Sequence, residues 1–122
     1  MNKINQQILQ SMKVTAPDEN SRCSAELRLS KDFIGFQGHF PGRPVLPAVC
    51  MISAVLTAAQ AAVNSSLSLK TVKSAKFFSP LVPDEPLTFD ITLDDPREPK
   101  EVRAELSSEG RKIARITLLT EK

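Results

Sequence analysis

Of the 122 side chains, only His39 has an unperturbed pKa near neutrality, so acid–base chemistry at physiological pH falls to it first. It stands between Gly38 and Phe40-Pro41-Gly42, in a rigid loop with aromatic side chains on either side. Beyond that loop Pro47 opens an apolar run of helical character. The first N–H groups of a helix, here those around Ala48 and Val49, have no intrahelical acceptor and can polarise a carbonyl oxygen. A lone loop histidine is more often structural or merely exposed than catalytic, and these residues alone leave both roles open. A Ser53/His39 nucleophilic dyad would make a hydrolase, but a serine on a buried helix ordinarily bonds a carbonyl one turn back. One histidine and two separated cysteines, Cys23 and Cys50, do not assemble a metal ligand set, and no cofactor is implied.

The elements that must position these residues can be read from periodicity. Ile4, Ile8, Leu9 and Met12 share one face of a short helix. From Arg22 to Leu29 apolar Cys23, Ala25, Leu27 and Leu29 alternate with Arg22, Ser24, Glu26 and Arg28, which predicts a half-buried strand. Ser30 to Leu46 carries Gly35, Gly38, Gly42, Pro41 and Pro44 and cannot be a helix interior or a central strand. Pro47 suits a first helical turn, and the following run to Val63 is apolar around nearly its whole circumference, as for a helix surrounded by protein. Asn64-Ser65-Ser66 stops it. Strands are predicted over Lys70–Phe78, Leu87–Leu93, Glu101–Ser107 and Lys112–Leu119, the last two joined through Glu109-Gly110 as a hairpin. Pro41, Pro44 and Pro47, then Pro80, Pro83 and Pro86, recur at every third residue, which favours extended, polyproline-like loops leading into the helix and into a strand. The sum is an α+β domain over residues 1–122, an antiparallel sheet of about five strands wrapped around one long buried helix.

Composition narrows the function classes. Hydrophobic residues at 41% and charged residues at 25% fit an ordinary folded domain rather than a disordered or repetitive chain. A net charge of +2, with neither Trp nor Tyr, offers no nucleic-acid footprint and no stacking platform for bases. The N-terminus lacks the apolar core of a secretory signal, and the apolar stretch Val45–Val63 is interrupted by Pro47, Ser53, Thr57 and Gln60, so it reads as a core helix and not a membrane span. A cytoplasmic location is expected. Cys23 and Cys50 read as buried thiols, and the phenylalanines as core and as lining for an apolar tunnel. Lys70, Lys73, Lys76 and Arg43 suit either an acidic partner or plain solvation.

The run Phe36-Gln37-Gly38-His39-Phe40-Pro41-Gly42-Arg43-Pro44-Val45-Leu46-Pro47 and the apolar helix after it resemble the signature of the hotdog-fold 3-hydroxyacyl-[acyl carrier protein] dehydratases of the FabA/FabZ type. The segment from Ala75 to Leu87 is similar to the strand, proline turn and strand that follow the helix in that family, and with the Gly110 hairpin the match spans roughly residues 22 to 119. The short N-terminus looks more like the ApeI-like branch associated with aryl polyene pigments. The resemblance implies a dimer with two interfacial sites, each joining the loop histidine of one subunit to an acid on the helix of the other. It implies that His39 takes a proton from C2 of an acyl thioester, carried on acyl carrier protein or coenzyme A, while the acid protonates the departing C3 hydroxyl. The N–H of Ala48, where the family has glycine, would hold the thioester oxygen, with Phe40, Gly42, Val49 and Thr57 around the substrate. The family acid falls at Ser53, which cannot protonate a leaving group as a carboxylic acid does, and Thr57 replaces the usual glutamine. From Leu46 to Asn64 no acidic residue is available to take over. Two functions follow: a dehydratase-like enzyme of fatty-acid or polyene-type biosynthesis, active as a homodimer, or a weak or inactive acyl-thioester-binding subunit that forms a heterodimer with an active homologous dehydratase.

Overall fold

A computed structural model of the chain describes residues 3–37, 42 and 44–122. Its elements are helix α1 (Lys3–Gln10), strand β1 (Met12–Val14), strand β2 (Arg22–Arg28), a single 3-10 turn over Ile34–Phe36, helix α2 (Ala48–Val63), and strands β3 (Ser68–Phe77), β4 (Pro86–Leu93), β5 (Glu101–Ser108) and β6 (Arg111–Glu121). All six strands form one antiparallel sheet in the order β1-β2-β4-β5-β6-β3. The expected strand count of about five rises to six because α1 ends at Gln10, and Met12, read as the last residue of the helical face, begins β1 opposite Leu27. Three residues are too few for periodicity to separate helix from strand; pairing with β2 settles it.

The alternation in β2 holds throughout: Cys23, Ala25 and Leu27 are buried and their neighbours exposed. Phe89, Ile91, Leu106, Ile113, Ile116 and Leu118 add the inner faces of β4, β5 and β6, and α2 lies on them through Ala54, Val55, Ala58 and Ala59. This is the hotdog arrangement of a sheet around one helix. Asn64 ends α2 in the left-handed region (φ 52°), its N–H turned back to the Ala61 and Gln60 carbonyls. Glu109 (φ 50°) and Gly110 (φ 82°) make the tight two-residue turn between β5 and β6, with positive φ at both positions as a type I′ hairpin requires. Both cysteines are buried and unpaired, and burial, followed by the nearby Asp18 and Asp90 carboxylates, pushes the Cys23 thiol up to about 11.

Two expectations change. Phe77 and Phe78, read with the other phenylalanines as core and tunnel wall, are 43% and 49% exposed, because β3 is an edge strand that α2 does not cover. Phe78 lies 6.0 Å from both the Lys112 ammonium and the Arg115 guanidinium. The second proline loop is also not a continuous extended segment, since Asp84 takes φ 68° and turns the chain between Pro83 and Pro86. The turn is held by Asp84 N–H donating to the Leu29 carbonyl at 2.8 Å.

One glycine is fixed by packing. A Cβ on Gly35 would overlap the Phe33 ring and come within 2.9 Å of the Cys50 sulfur, so the turn before the histidine loop lies tight against α2. Gly35→Ala is expected to destabilise the protein by about 1–3 kcal/mol through overpacking. Chemical denaturation with an unchanged midpoint would show that the Phe33 ring can step aside at no cost.

Candidate functional site

The site expected at the start of α2 would draw on the histidine loop, the two proline loops and the first turns of the helix. His39 and Phe40 lie outside the described residues. The chain on either side of them is anchored. Before the loop, the side-chain carbonyl of Gln7 accepts the Ile34 N–H at 3.0 Å, and Phe33 meets Phe36 edge-on at 5.7 Å, which ties the 3-10 turn to α1 and the core. Gly42 is an exposed turn residue with φ 83°, a conformation costly for any residue with a Cβ.

After the loop, the Leu46 N–H donates to the Leu81 carbonyl at 2.8 Å, joining the first proline block to the second one residue ahead of the helix cap. The second loop is in turn bracketed by Arg111. Its guanidinium donates to the Pro80 carbonyl at 2.9 Å and to Glu85 at 2.6 Å, while Glu85 accepts the Val82 N–H at 2.9 Å. The Val82 N–H, with a further contribution from Arg111, holds the Glu85 carboxyl below its ordinary value of 4.5 against a smaller burial effect of opposite sign. A lowered folded pKa contributes stability above about pH 4.5 that is lost as pH falls through the folded value. Between roughly pH 5 and pH 3 the thermal midpoint of the wild type should therefore fall more steeply than that of Glu85→Gln. Parallel acid limbs would mean that the bracket contributes nothing to folding.

Pro47 caps α2 in an extended conformation (φ −63°, ψ 150°), and its carbonyl accepts the N–H groups of Cys50 and Met51. The N–H groups of Ala48 and Val49 have no acceptor among the described residues, and both residues are exposed, Val49 at 66%. The helix therefore opens on two N–H groups with no acceptor among the described residues, as the site reading requires of its oxygen-binding position. Ser53 is half-buried on the stripe Val49, Ile52, Ser53 and Leu56, the side of α2 left partly open by the protein's own sheet. This modifies the expectation of a helix enclosed on all sides. The Ser53 hydroxyl makes no hydrogen bond among the described residues, and neither does it bond back to a carbonyl as a structural serine would. Thr57, one turn beyond, is buried, with 5% of its surface exposed. The position of Ser53 on the open stripe could not be read from an all-round apolar pattern, and the Arg111 bracket, spanning residues far apart in sequence, left no local signal.

Among the described residues no group of histidine, cysteine or acidic side chains is placed to hold a metal ion, and no helix is long and apolar enough to cross a membrane.

Comparison with known proteins places this arrangement. The ApeI-like family, described as ApeI dehydratase, matches residues 14–116. The 3-hydroxyacyl-[acyl-carrier-protein] dehydratase FabZ of Lactobacillus helveticus is 30% identical over 89 residues, which cover 67% of this chain and 59% of that enzyme. Its namesake from Levilactobacillus brevis is 30% identical over 105 residues, covering 80% of this chain and 70% of the enzyme. The chain thus spans between about three-fifths and seven-tenths of the length of these relatives. A chain of the dehydratase heterocomplex ApeI:P from Xenorhabdus doucetiae superposes with a TM-score of 0.77 at 23% identity, over 90% of this chain and 95% of that one. With residues 14–116 of 122 matched and a FabZ relative 30% identical over 80% of the chain, the chain belongs to the ApeI-like family of hotdog-fold dehydratases.

Proposed function

We propose that this chain is a dehydratase-type subunit that binds a 3-hydroxyacyl chain as a thioester on acyl carrier protein, in fatty-acid or polyene-type biosynthesis. The observation that carries the reading is the open start of α2, where the Ala48 and Val49 N–H groups, which have no acceptor among the described residues, follow the histidine loop and the Leu46–Leu81 stitch. In this reading His39 removes a C2 proton, the Ala48 N–H stabilises the oxygen of the developing enolate, and the C3 hydroxyl must leave with a proton from an acid. Phe40, Gly42 and Val49 border the bound acyl group, with Thr57 behind Ser53.

Ser53 favours a more specific version. A serine on the open stripe offers a hydroxyl but no transferable proton of suitable pKa, so the chain by itself is a weak catalyst and lends His39 to a composite site whose acid stands on the helix of a homologous partner. The Xenorhabdus doucetiae neighbour belongs to a dehydratase heterocomplex, which supports such pairing as an arrangement available to this fold. Purified protein should bind 3-hydroxyacyl or trans-2-enoyl thioesters and interconvert them slowly or not at all. Absence of binding to the carrier-protein and coenzyme A thioesters alike would remove both versions.

A further inference from the structure

Pro80, Pro83 and Pro86 have no N–H, so the segment they punctuate cannot pair as a strand and must be fixed by side chains. Glu85 and Arg111 do this jointly. One carboxylate oxygen of Glu85 accepts the Val82 N–H at 2.9 Å and the other accepts Arg111 at 2.6 Å, while the same guanidinium donates to the Pro80 carbonyl at 2.9 Å. The Val82 N–H belongs to the same planar peptide unit as the Leu81 carbonyl, which points the opposite way and accepts the Leu46 N–H at 2.8 Å. Glu85 therefore fixes the rotation of that plane, and Arg111 fixes Glu85 together with the preceding peptide. An N–H bound to a carboxylate also polarises its peptide, which makes the Leu81 carbonyl a stronger acceptor.

The constraint continues past Leu46. Leu46 and Leu81 are both buried, at 4% and 2% exposure, which shields their hydrogen bond from water. Between the Leu46 N–H and the Ala48 N–H stands Pro47, whose ring locks its φ, here −63°, and whose presence restricts Leu46 to extended backbone. Few soft torsions separate the two N–H groups, so the first sets the direction of the second. We propose that Arg111 is a positioning residue of the dehydratase site: through Glu85 and the Leu81–Val82 peptide it sets the aim of the Ala48 N–H at the thioester oxygen. This role rests on reading that N–H as the oxygen-binding group. Lysine is a poor substitute, since a point-like ammonium does not reproduce the planar fork that spans a carboxylate and a carbonyl. Arg115, further along the same strand, reaches Glu105 at 3.1 Å and the Phe78 ring, and no hydrogen bond among the described residues joins it to the proline loop.

The probe is a furylacryloyl thioester, on carrier protein or coenzyme A, whose absorption moves to the red when its carbonyl oxygen is polarised. Wild type should bind it with a red shift. Arg111→Met should lose most of that shift while affinity falls only about three- to tenfold, the range of one misdirected hydrogen bond, and Arg111→Lys should lie between the two. Arg115→Met, which removes the same charge from the same strand, should keep the full shift. A full shift in Arg111→Met, or an equal loss in Arg115→Met, would overturn the positioning role and leave the oxygen-binding reading standing. Wild type that binds neither thioester, or binds without a shift, would overturn that reading and the positioning role with it. If Arg111→Met does not fold, Arg111→Lys decides: a shift as large as that of wild type contradicts the inference.

Discussion

Replacing Ser53 by glutamate is expected to raise the rate at which this protein alone dehydrates a 3-hydroxyacyl thioester by about 10²- to 10⁴-fold, the usual contribution of one positioned general acid. The position can take the change. Ser53 is half-buried on the open stripe of α2 and makes no hydrogen bond among the described residues that glutamate would break, and glutamate is a good helix former. The departing hydroxide is what makes the wild type slow: a serine hydroxyl has no proton to give near neutral pH. Ser53→Gln is the control, matching glutamate in shape without its acid, and should leave the rate where it was. Because the reacting pair spans two subunits in this reading, the assay belongs at high protein concentration, where two copies associate. A Ser53→Glu protein no faster than wild type would show that more than the acid is missing.

The second large effect is at His39. In any preparation that turns over, His39→Ala should reduce the rate by about 10²- to 10⁴-fold, since it is the single histidine of the protein, the side-chain type whose unperturbed pKa suits taking a proton from C2. The loss should appear in kcat, with thioester affinity nearly kept, because the Ala48 and Val49 donors and the apolar surroundings are untouched. An unaffected rate would reassign the base.

These expectations were visible in the sequence to different depths. The helix was legible because Pro47 marks its start, Asn64 its end, and the residues between have the composition of a core helix; the structure sets its bounds at Ala48 and Val63. The strands β2 and β4 were legible from strict alternation, and the β5–β6 hairpin from Gly110. β1 was not, being three residues long and stabilised only by its ladder to β2. Nor was the exposure of Phe77 and Phe78, since a phenylalanine on an edge strand and one in a core look alike until the strand order is known. Of the site, the residue types came from the sequence and the openness from the structure. An apolar pattern running round the helix predicts burial on all sides, yet Val49, Ile52, Ser53 and Leu56 remain partly uncovered, which is understandable if a second subunit completes the burial. The bracket from Arg111 to the Pro80–Glu85 loop joins residues with no periodic relation and could be found only in the folded chain.

The central claim is that His39 works with an acid on the helix of another subunit, and that the missing acid at position 53 alone keeps this chain from completing that pair. Its most direct test mixes two preparations that are each incomplete: wild type, which has the base without the acid, and a His39→Ala, Ser53→Glu double variant, which has the acid without the base. Each alone should be nearly inactive toward a 3-hydroxyacyl thioester on carrier protein, and the mixture should dehydrate it at a rate that rises with the fraction of mixed dimer. A mixture no faster than the sum of its parts, or wild type alone as fast as the mixture, would contradict the account.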